Sequence, residues 1–254
     1  MSAEHRNWQR DESLLVLHLY CRTPFGKLHK SNPDIIQLAE IIDRTPSAVS
    51  MKAVNFAHLD PNLERKGLSR VSNGDRELWA EFLENSQHIA LAAEDLFEQR
   101  VKQEWLKSNK VSEFDIPEGP TETARQVMTR RVQSFFRKAV LTSYENRCAI
   151  SGLQLPPLLI ASHIIPWKES EERRADPTNG IALNTLYDSA FDKGLLTFDE
   201  DWRVCLSSRL KEHIPDSEIT QKLLTIEGLP LILPKRFYPD PVAMNYHRNK
   251  RYKG

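Results

Sequence analysis

The chain has 254 residues, and its 35 Lys and Arg residues balance 35 Asp and Glu residues, so the formal net charge is zero. No apolar run approaches the ~20 residues of a membrane helix, and the N-terminus has no signal-peptide pattern. Three cysteines that lie far apart (Cys21, Cys148 and Cys205) do not form a disulfide framework. We therefore expect a globular protein of the reducing cytoplasm with no membrane partner.

The zero net charge hides a segregation of charge along the chain. Residues 121–147 contain six Lys and Arg against two acids, and residues 235–254 contain six against one. Residues 62–118 carry a net negative charge, with twelve acids to eight bases. Local basic segments suit a protein that touches phosphate over part of its surface, although solvated helix faces would look the same.

The first predicted elements are helices. Residues 10–22 place Leu14 and Leu17 on one side at helical spacing, and Ile35, Leu38 and Ala39 form an apolar face of the next helix. The sequence DRTP ends that helix. Thr45 is the expected N-cap of a third helix, with Pro46 at its first position.

The second and third helices, joined by a tight turn, resemble a helix-turn-helix. In that interpretation the third helix enters a DNA major groove with polar side chains directed outward. The residues offered are Ser47, Ser50, Lys52 and Asn55. The alternative is a helical hairpin that packs and binds nothing.

The middle of the chain predicts more helix. Residues 74–107 are amphipathic, with a candidate core that includes Leu78, Trp79, Phe82, Leu83 and Ile89. Residues 108–123 carry Pro, Gly and acids and mark a domain boundary. A basic helix follows, with Phe135 and Phe136 facing inward. We expect three parts: a DNA-binding-like helical domain at 1–62, a helical connector at 63–118 and a catalytic domain at 119–254.

Three blocks occur in order in the second half: RRVQSFFRKAVLTSYENRCAISG, then ASHIIPW, then NGIALNTLYDSAFDKGLLTF. Together they resemble the HNH (ββα-metal) endonuclease family, specifically its restriction-type subgroup. The β-rich LLIASHIIP places His163 at a strand end, Asn179-Gly180 opens a second strand, and LYDSAFD is a helix of about two turns closed by Gly194. The fold class expected for the chain is therefore α+β.

The resemblance implies the roles of the site residues. In the family the His of the first block is the general base, which points to His163 here. The Asn orients the imidazole or braces the loop, which points to Asn179. The family's basic helix matches Arg131, Gln133 and Arg137, which we expect to hold backbone phosphate unless they form surface salt bridges.

The helix of the third block lacks the second His of the family and offers carboxylates instead. Asp188 and Asp192 are four residues apart and share a face, whereas Tyr187 and Phe191 lie on a face turned by about 100° and are expected in the core. Two hard oxygen donors suit one Mg²⁺ or Mn²⁺. Asp192 could instead cap the helix or pair with Lys193.

Two departures from the family bear on the metal. Ser162 stands where relatives often carry another ligand, and its hydroxyl is a poor one, so we expect weak binding completed by substrate phosphate. Cys148 opens CAIS without a second cysteine, so we expect no structural zinc. The segment LLTFDEDWRVCL predicts a hairpin that turns at Glu200-Asp201.

The sequence thus predicts a metal-dependent DNA endonuclease in which His163 activates water and Asn179 positions it. A role in restriction or phage defence and a homodimeric state follow by analogy. Two alternatives remain open. One is a DNA-binding regulator with a degenerate nuclease domain, and the other is a nuclease that acts on RNA or branched DNA.

Overall fold

The computed structural model of the chain describes residues 6–61, 63, 71–109, 121–212, 221 and 223–254. The side chains of residues 104–109 and 121–127 are left undescribed. The fold is α+β: a helical N-terminal region precedes two small β-hairpins with a helix between them. The chain divides into two compact units, residues 1–139 and 140–254. The predicted boundary segment at 108–123 lies mostly outside the described residues, and the predicted division into three parts stays a prediction.

The first unit consists of helices, four of which have described polar N-caps, α1 to α4. The helices are α1 (Arg10–Arg22), α2 (Pro33–Ile41), α3 (Pro46–Leu59), α4 (Asn73–Glu84), α5 (Ser86–Asn109) and α6 (Thr121–Ser143), the last of which runs into the second unit. The Thr45 side chain caps α3 by accepting from the Ala48 amide, and Pro46 is the first helical residue, as predicted. Asn32 caps α2 in the same way.

Helix α1 is buried on every side from Glu12 to Cys21. The prediction of a single apolar face at Leu14 and Leu17 was therefore too narrow. The reason is packing, because α2, α3, α4 and α5 all contact α1 and leave it no solvent face.

Most of the predicted helical core is confirmed. Leu78, Trp79, Phe82 and Ile89 are buried, and so are Phe135 and Phe136 of α6. Leu83 is half exposed, so its assignment to the core was wrong. Leu83 follows Phe82 directly, and one residue along a helix turns a side chain by about 100°, out of the apolar face.

The second unit contains the two hairpins. Strand β1 (Leu159–His163) pairs antiparallel with β2 (Gly180–Asn184), and Asn184 caps helix α7 (Thr185–Asp192) by accepting from the Tyr187 amide. Strands β3 (Leu196–Phe198) and β4 (Val204–Leu206) form the predicted second hairpin. Short helices α8 (Ser208–Glu212) and α9 (Pro241–Tyr246) and a π-helical turn at His247–Arg251 complete the described part of the unit.

The core of the second unit lies where α7, β3 and the π-helical turn meet. Phe191 of α7 is fully buried, and its ring lies 5.8 Å from that of Phe198 and stacks on His247 at 3.8 Å. Among the residues that the structure describes, no helix is both long enough and apolar enough to cross a membrane.

Candidate active site

The candidate site lies at the end of β1, where the ladder with β2 stops. His163 is the last residue of β1 and is opposite Gly180, the first residue of β2. Helix α7 follows β2 without a linker and packs against both strands. The order β1, β2, α7 is therefore the ββα arrangement that the sequence predicts.

His163 is half-buried and held by backbone. Its Nε2 lies 3.1 Å from the carbonyl oxygen of Arg174, and its ring meets the edge of Trp167 at 5.7 Å between centroids. A carbonyl only accepts, so Nε2 carries the proton and the lone pair of the neutral ring is on Nδ1. Burial lowers the pKa of His163 to about 4, against the opposing effect of the Arg174 carbonyl. The ring is therefore neutral at pH 7, the state that a general base requires.

Asn179 braces the loop that leaves His163. Its side-chain Oδ1 accepts from the Ile165 amide at 2.8 Å, and its Nδ2 donates to the Ile165 carbonyl at 3.1 Å. The same Nδ2 reaches the Arg173 carbonyl at 3.4 Å, and the residue is buried. Of the two roles that the resemblance implied, these contacts favour the bracing of the loop. Both ends of the amide contact backbone, and the expectation that Asn179 positions the attacking water stays a prediction.

The two acids of α7 interact electrostatically. Asp188 is half-buried, and its pKa is raised first by burial and further by the negative charge of Asp192. Ser162 acts in the opposite direction, because the interaction of its side chain with the Asp188 carboxylate lowers that pKa. Asp192 is exposed. Ser162 thus interacts with the first of the two acids, and its role as a metal ligand stays a prediction.

The face of α7 that carries Tyr187 and Phe191 has the predicted core role only in part. Phe191 is in the core, whereas Tyr187 is half-buried, with its pKa raised first by burial. Asp188 and Tyr187 are neighbours in sequence but lie on different faces of the helix, as the helical period predicts.

The fit of the donor set to a metal ion depends on the two acids. Among the described residues, no group of three or more His, Cys, Asp and Glu side chains is arranged to hold one. Asp188 and Asp192 supply two carboxylates, and each is the kind of oxygen donor that Mg²⁺ prefers. A cation would offset both effects that raise the pKa of Asp188, its burial first and then its repulsion by Asp192. The pair thus fits an ion that takes the rest of its ligands from water and substrate.

The DNA-contact residues predicted on α3 are mostly engaged in the fold. Lys52 is buried and its Nζ lies 2.6 Å from Asp75 Oδ1, so the expectation that it points outward was wrong. Ser50 donates to the Leu28 carbonyl at 2.8 Å. Asn55 is half-buried, and Ser47 is exposed. Helices α2 and α3 are adjacent, but their identity as a helix-turn-helix stays a prediction.

The predicted phosphate-binding residues of α6 differ in their surroundings. Arg131 forms ion pairs with Glu94 at 3.0 Å and with Asp95 at 2.8 Å, so the structure favours the salt-bridge alternative over phosphate binding. Arg131 is shared by three acids, Glu94, Asp95 and Glu98, whose combined charge exceeds its own, which makes it a poor phosphate ligand. Gln133 is exposed and Arg137 is half-buried.

The sequence analysis missed two residues that contribute to the site, Arg174 and Trp167. Arg174 acts through its backbone carbonyl, and its side chain donates to the Trp167 carbonyl at 2.9 Å and lies over the Trp167 ring. The tryptophan of ASHIIPW could have been identified from the sequence, since an aromatic residue four positions after the base can cover one side of the imidazole ring.

Comparison with known families supports the part of the chain that holds this site. Residues 148–199 match a family model described as HNH endonuclease, and this segment is an HNH endonuclease domain. The match contains His163, Asn179, Asp188 and Asp192 and implies nuclease activity. It ends before the second hairpin is complete and does not extend to the N-terminal helices. A search of curated proteins found no match to this chain.

Proposed function

We propose that the protein is a metal-dependent endonuclease that hydrolyses phosphodiester bonds of DNA. The observation that carries the proposal is the ββα unit, in which β1 ends at His163 and α7, with its two acids, packs against β1 and β2. His163 is neutral with its lone pair on Nδ1, and the Ser162 side chain interacts with Asp188. The candidate base and the candidate metal ligands thus belong to the same ββα unit.

Each residue has a separate part in the reaction. His163 Nδ1 takes the proton of the attacking water, while the Arg174 carbonyl fixes the ring and stabilises its protonated form. Asn179 keeps the loop after His163 in place through Ile165. Asp188 and Asp192 would hold one divalent ion, with Ser162 orienting the first of them. When bound, such an ion neutralises the phosphate and the leaving oxygen.

The preferred ion in this proposal is Mg²⁺ or Mn²⁺. Carboxylate oxygens, unlike a pair of imidazoles, favour these hard cations over zinc-like ions. With two protein ligands, affinity in the absence of DNA is low and rises when a substrate phosphate completes the shell. No structural zinc is part of the proposal.

A restriction or phage-defence role and a homodimer extend the proposal by analogy. One site per chain cuts one strand, so two copies would supply the two cuts of a double-strand break. The predicted DNA-binding role of the N-terminal helices now depends on Ser47 and Asn55 more than on Lys52, which the ion pair with Asp75 occupies.

A second function is favoured by the small size of the donor set. A DNA-binding regulator with a degenerate nuclease domain would have two carboxylates and no further protein ligand, as seen among the described residues. It would bind DNA with ordinary salt dependence and cut nothing. A nuclease for RNA or branched DNA would keep the same site and differ in substrate.

The test is cleavage of supercoiled plasmid by the purified protein in EDTA, Mg²⁺, Mn²⁺, Ni²⁺ or Zn²⁺, with His163→Ala as the matched variant. Nicking or linearisation in Mg²⁺ or Mn²⁺ that is lost in His163→Ala supports the proposal. Duplex, single-stranded, branched and RNA substrates in parallel separate the substrate classes. Absence of cutting with every ion and every substrate, modified DNA included, would favour the regulator.

A further inference from the structure

The C-terminal segment, residues 247–254, folds back onto the end of α7. The Tyr252 amide donates to the His247 carbonyl at 3.0 Å, and the Lys253 amide donates to the Gly194 carbonyl at 2.9 Å. Gly254 is tied as well, because its carbonyl accepts from the Ser208 hydroxyl at 3.1 Å. The segment is therefore a fixed part of the second unit, close to the end of α7.

Gly194 makes this close approach possible. Its φ is +72°, in the left-handed region, and a Cβ at this position would lie 2.0 Å from the carbonyl oxygen of Arg251. No side chain fits there. Gly194 thus both ends α7 and admits the backbone of the C-terminal segment.

His247 anchors the start of the segment in the core. Its ring stacks on Phe191, its Nε2 lies 3.1 Å from the Phe191 carbonyl, and its Nδ1 lies 2.9 Å from the Thr197 hydroxyl. These contacts fix the segment to the same helix that carries the acidic pair, so the basic residues that follow have a defined position.

Arg251 joins the two halves of the candidate site. Its Nη2 donates to the Asp192 carbonyl at 3.0 Å, and its Nη1 lies 3.6 Å from Glu169 Oε1. Glu169 belongs to the loop that follows His163 and also accepts a hydrogen bond from the Tyr246 hydroxyl. The Arg251 guanidinium thus lies between the loop of the base and the helix of the acids.

Three lysines extend the positive charge around Arg251. Lys193 precedes Gly194, and Lys250 and Lys253 lie on either side of Arg251 in the sequence; all three are exposed. None of them takes part in an ion pair within the part of the chain that the structure describes. An ammonium group that remains hydrated and unpaired is available to an external anion.

We propose that Lys193, Lys250, Arg251 and Lys253, the C-terminal basic clamp, bind backbone phosphates of duplex DNA next to the bond that is cut. The proposal rests on the proposed function, because it places the DNA at the end of α7. The motif resemblance did not include these residues, although residues 235–254 form a basic segment of the sequence.

Cations act here by releasing the counterions of DNA. Each phosphate contact contributes about 0.9 to the slope of log affinity against log salt concentration on B-DNA. A clamp that holds backbone carries no sequence information, so its removal weakens binding to all sequences equally. The salt slope is therefore the measurement that separates phosphate contact from a merely structural role.

The experiment measures binding of a fluorescent DNA duplex across a salt series, in EDTA and in the His163→Ala background, which excludes cleavage. The clamp variant is Lys250→Gln/Arg251→Gln, and the control variant is Arg203→Gln/Lys235→Gln. Each double variant removes one Lys and one Arg, so both change the net charge equally.

The control residues resemble those of the clamp, except that Arg251 is half-buried and lies 3.6 Å from Glu169, whereas Arg203 is exposed. Arg203 and Lys235 are exposed and belong to the same unit. Arg203 also donates to a backbone carbonyl, that of Gly228, at 3.0 Å, as Arg251 does to Asp192. A loss of binding that came only from net charge or from such a hydrogen bond would therefore appear in both variants.

We expect the clamp variant to lower the salt slope by about 2, and the control variant to leave the slope unchanged. The variant Lys250→Arg/Arg251→Lys keeps both charges and should keep the slope. Thermal unfolding of every variant accompanies the binding data. Equal slopes for the wild type and a folded clamp variant, or an equal fall in the clamp and control variants, would overturn the proposal.

Cleavage by the wild-type protein, measured in parallel, distinguishes this failure from failure of the proposed function. A reduced slope in the clamp variant without any cleavage by the wild type would support the clamp and overturn the nuclease. Metal-dependent cleavage with an unchanged slope would support the nuclease and overturn the clamp.

Discussion

The side chain of Ser162 interacts with the carboxylate of Asp188 and lowers its pKa. This contact connects the two departures of the chain from the family that its motifs resemble. The helix offers a carboxylate where the resemblance leads us to expect a second His, and the strand offers a hydroxyl that interacts with this carboxylate. We propose that the two departures belong together, with the serine supporting the acid proposed as a metal ligand.

Ser162→Ala should weaken metal binding without unfolding the protein. Loss of a side chain that contacts a metal ligand, but not the metal itself, typically lowers metal affinity or activity by about 10- to 100-fold. The cleavage rate is measured as a function of the Mg²⁺ or Mn²⁺ concentration. The ion concentration that gives half of the maximal rate should rise. Ser134→Ala, on the exposed side of α6, makes the same change away from the site and should leave that concentration unchanged.

Asn179→Ala should destabilise the second unit. The change removes the amide that serves both the N–H and the C=O of Ile165, and each unmet backbone group that stays away from water costs about 1–3 kcal/mol. Chemical denaturation measures the loss. If unfolding is unchanged while cleavage is lost, Asn179 acts on the reacting water instead of on the loop.

Lys52→Ala should destabilise the first unit, because it leaves the Asp75 carboxylate buried without its partner. Breaking a buried ion pair at one end typically costs about 3–5 kcal/mol. Replacement of both residues, Lys52→Met with Asp75→Leu, should be far milder. A Lys52→Ala protein that unfolds like the wild type but binds DNA more weakly would restore the DNA-contact role predicted from the sequence.

The stability of the protein should fall as the pH falls from about 6.5 toward 4. Burial lowers the pKa of His18 to about 4, so between these values the unfolded chain binds a proton that the folded chain does not. The stabilisation is complete above pH 6.5 and is lost as the pH drops, by at most about 1.4 kcal/mol per pH unit for one histidine. His163 and His247 have lowered pKa values of the same size and act in the same direction.

His18→Gln tests how much of this pH dependence comes from His18, since Gln keeps a polar side chain that does not titrate. The free energy of unfolding of the variant should depend less on pH in this window. An identical pH dependence in the variant and the wild type would contradict the assignment.

Local chemistry made part of the fold predictable. The Thr45-Pro46 start of α3 and the Gly194 end of α7 follow from caps that act over a few residues, and the two faces of α7 follow from the helical period. Lys52 could not be placed in this way, because the acid that buries it lies 23 residues further along the chain. Sequence spacing carries no information about which helix covers which face.

The site shows the same limit. The base and the acids were identified from side chains, but the group that fixes the tautomer of His163 is a backbone carbonyl, which any residue at position 174 would supply. Arg251 meets the Asp192 carbonyl across 59 residues of sequence. Its basic neighbourhood was visible in the sequence, whereas its position beside α7 was not.

The most direct test of the central claim, that a carboxylate on α7 has taken the place of the second histidine, compares Asp188→Ala with Tyr187→Ala. Plasmid cleavage in Mg²⁺ and Mn²⁺ and thermal unfolding are measured on both. We expect folded but inactive Asp188→Ala protein, and a Tyr187→Ala protein of lower stability that still cuts at temperatures where it is folded. A fully folded Tyr187→Ala protein without activity, beside an active Asp188→Ala protein, would contradict the claim.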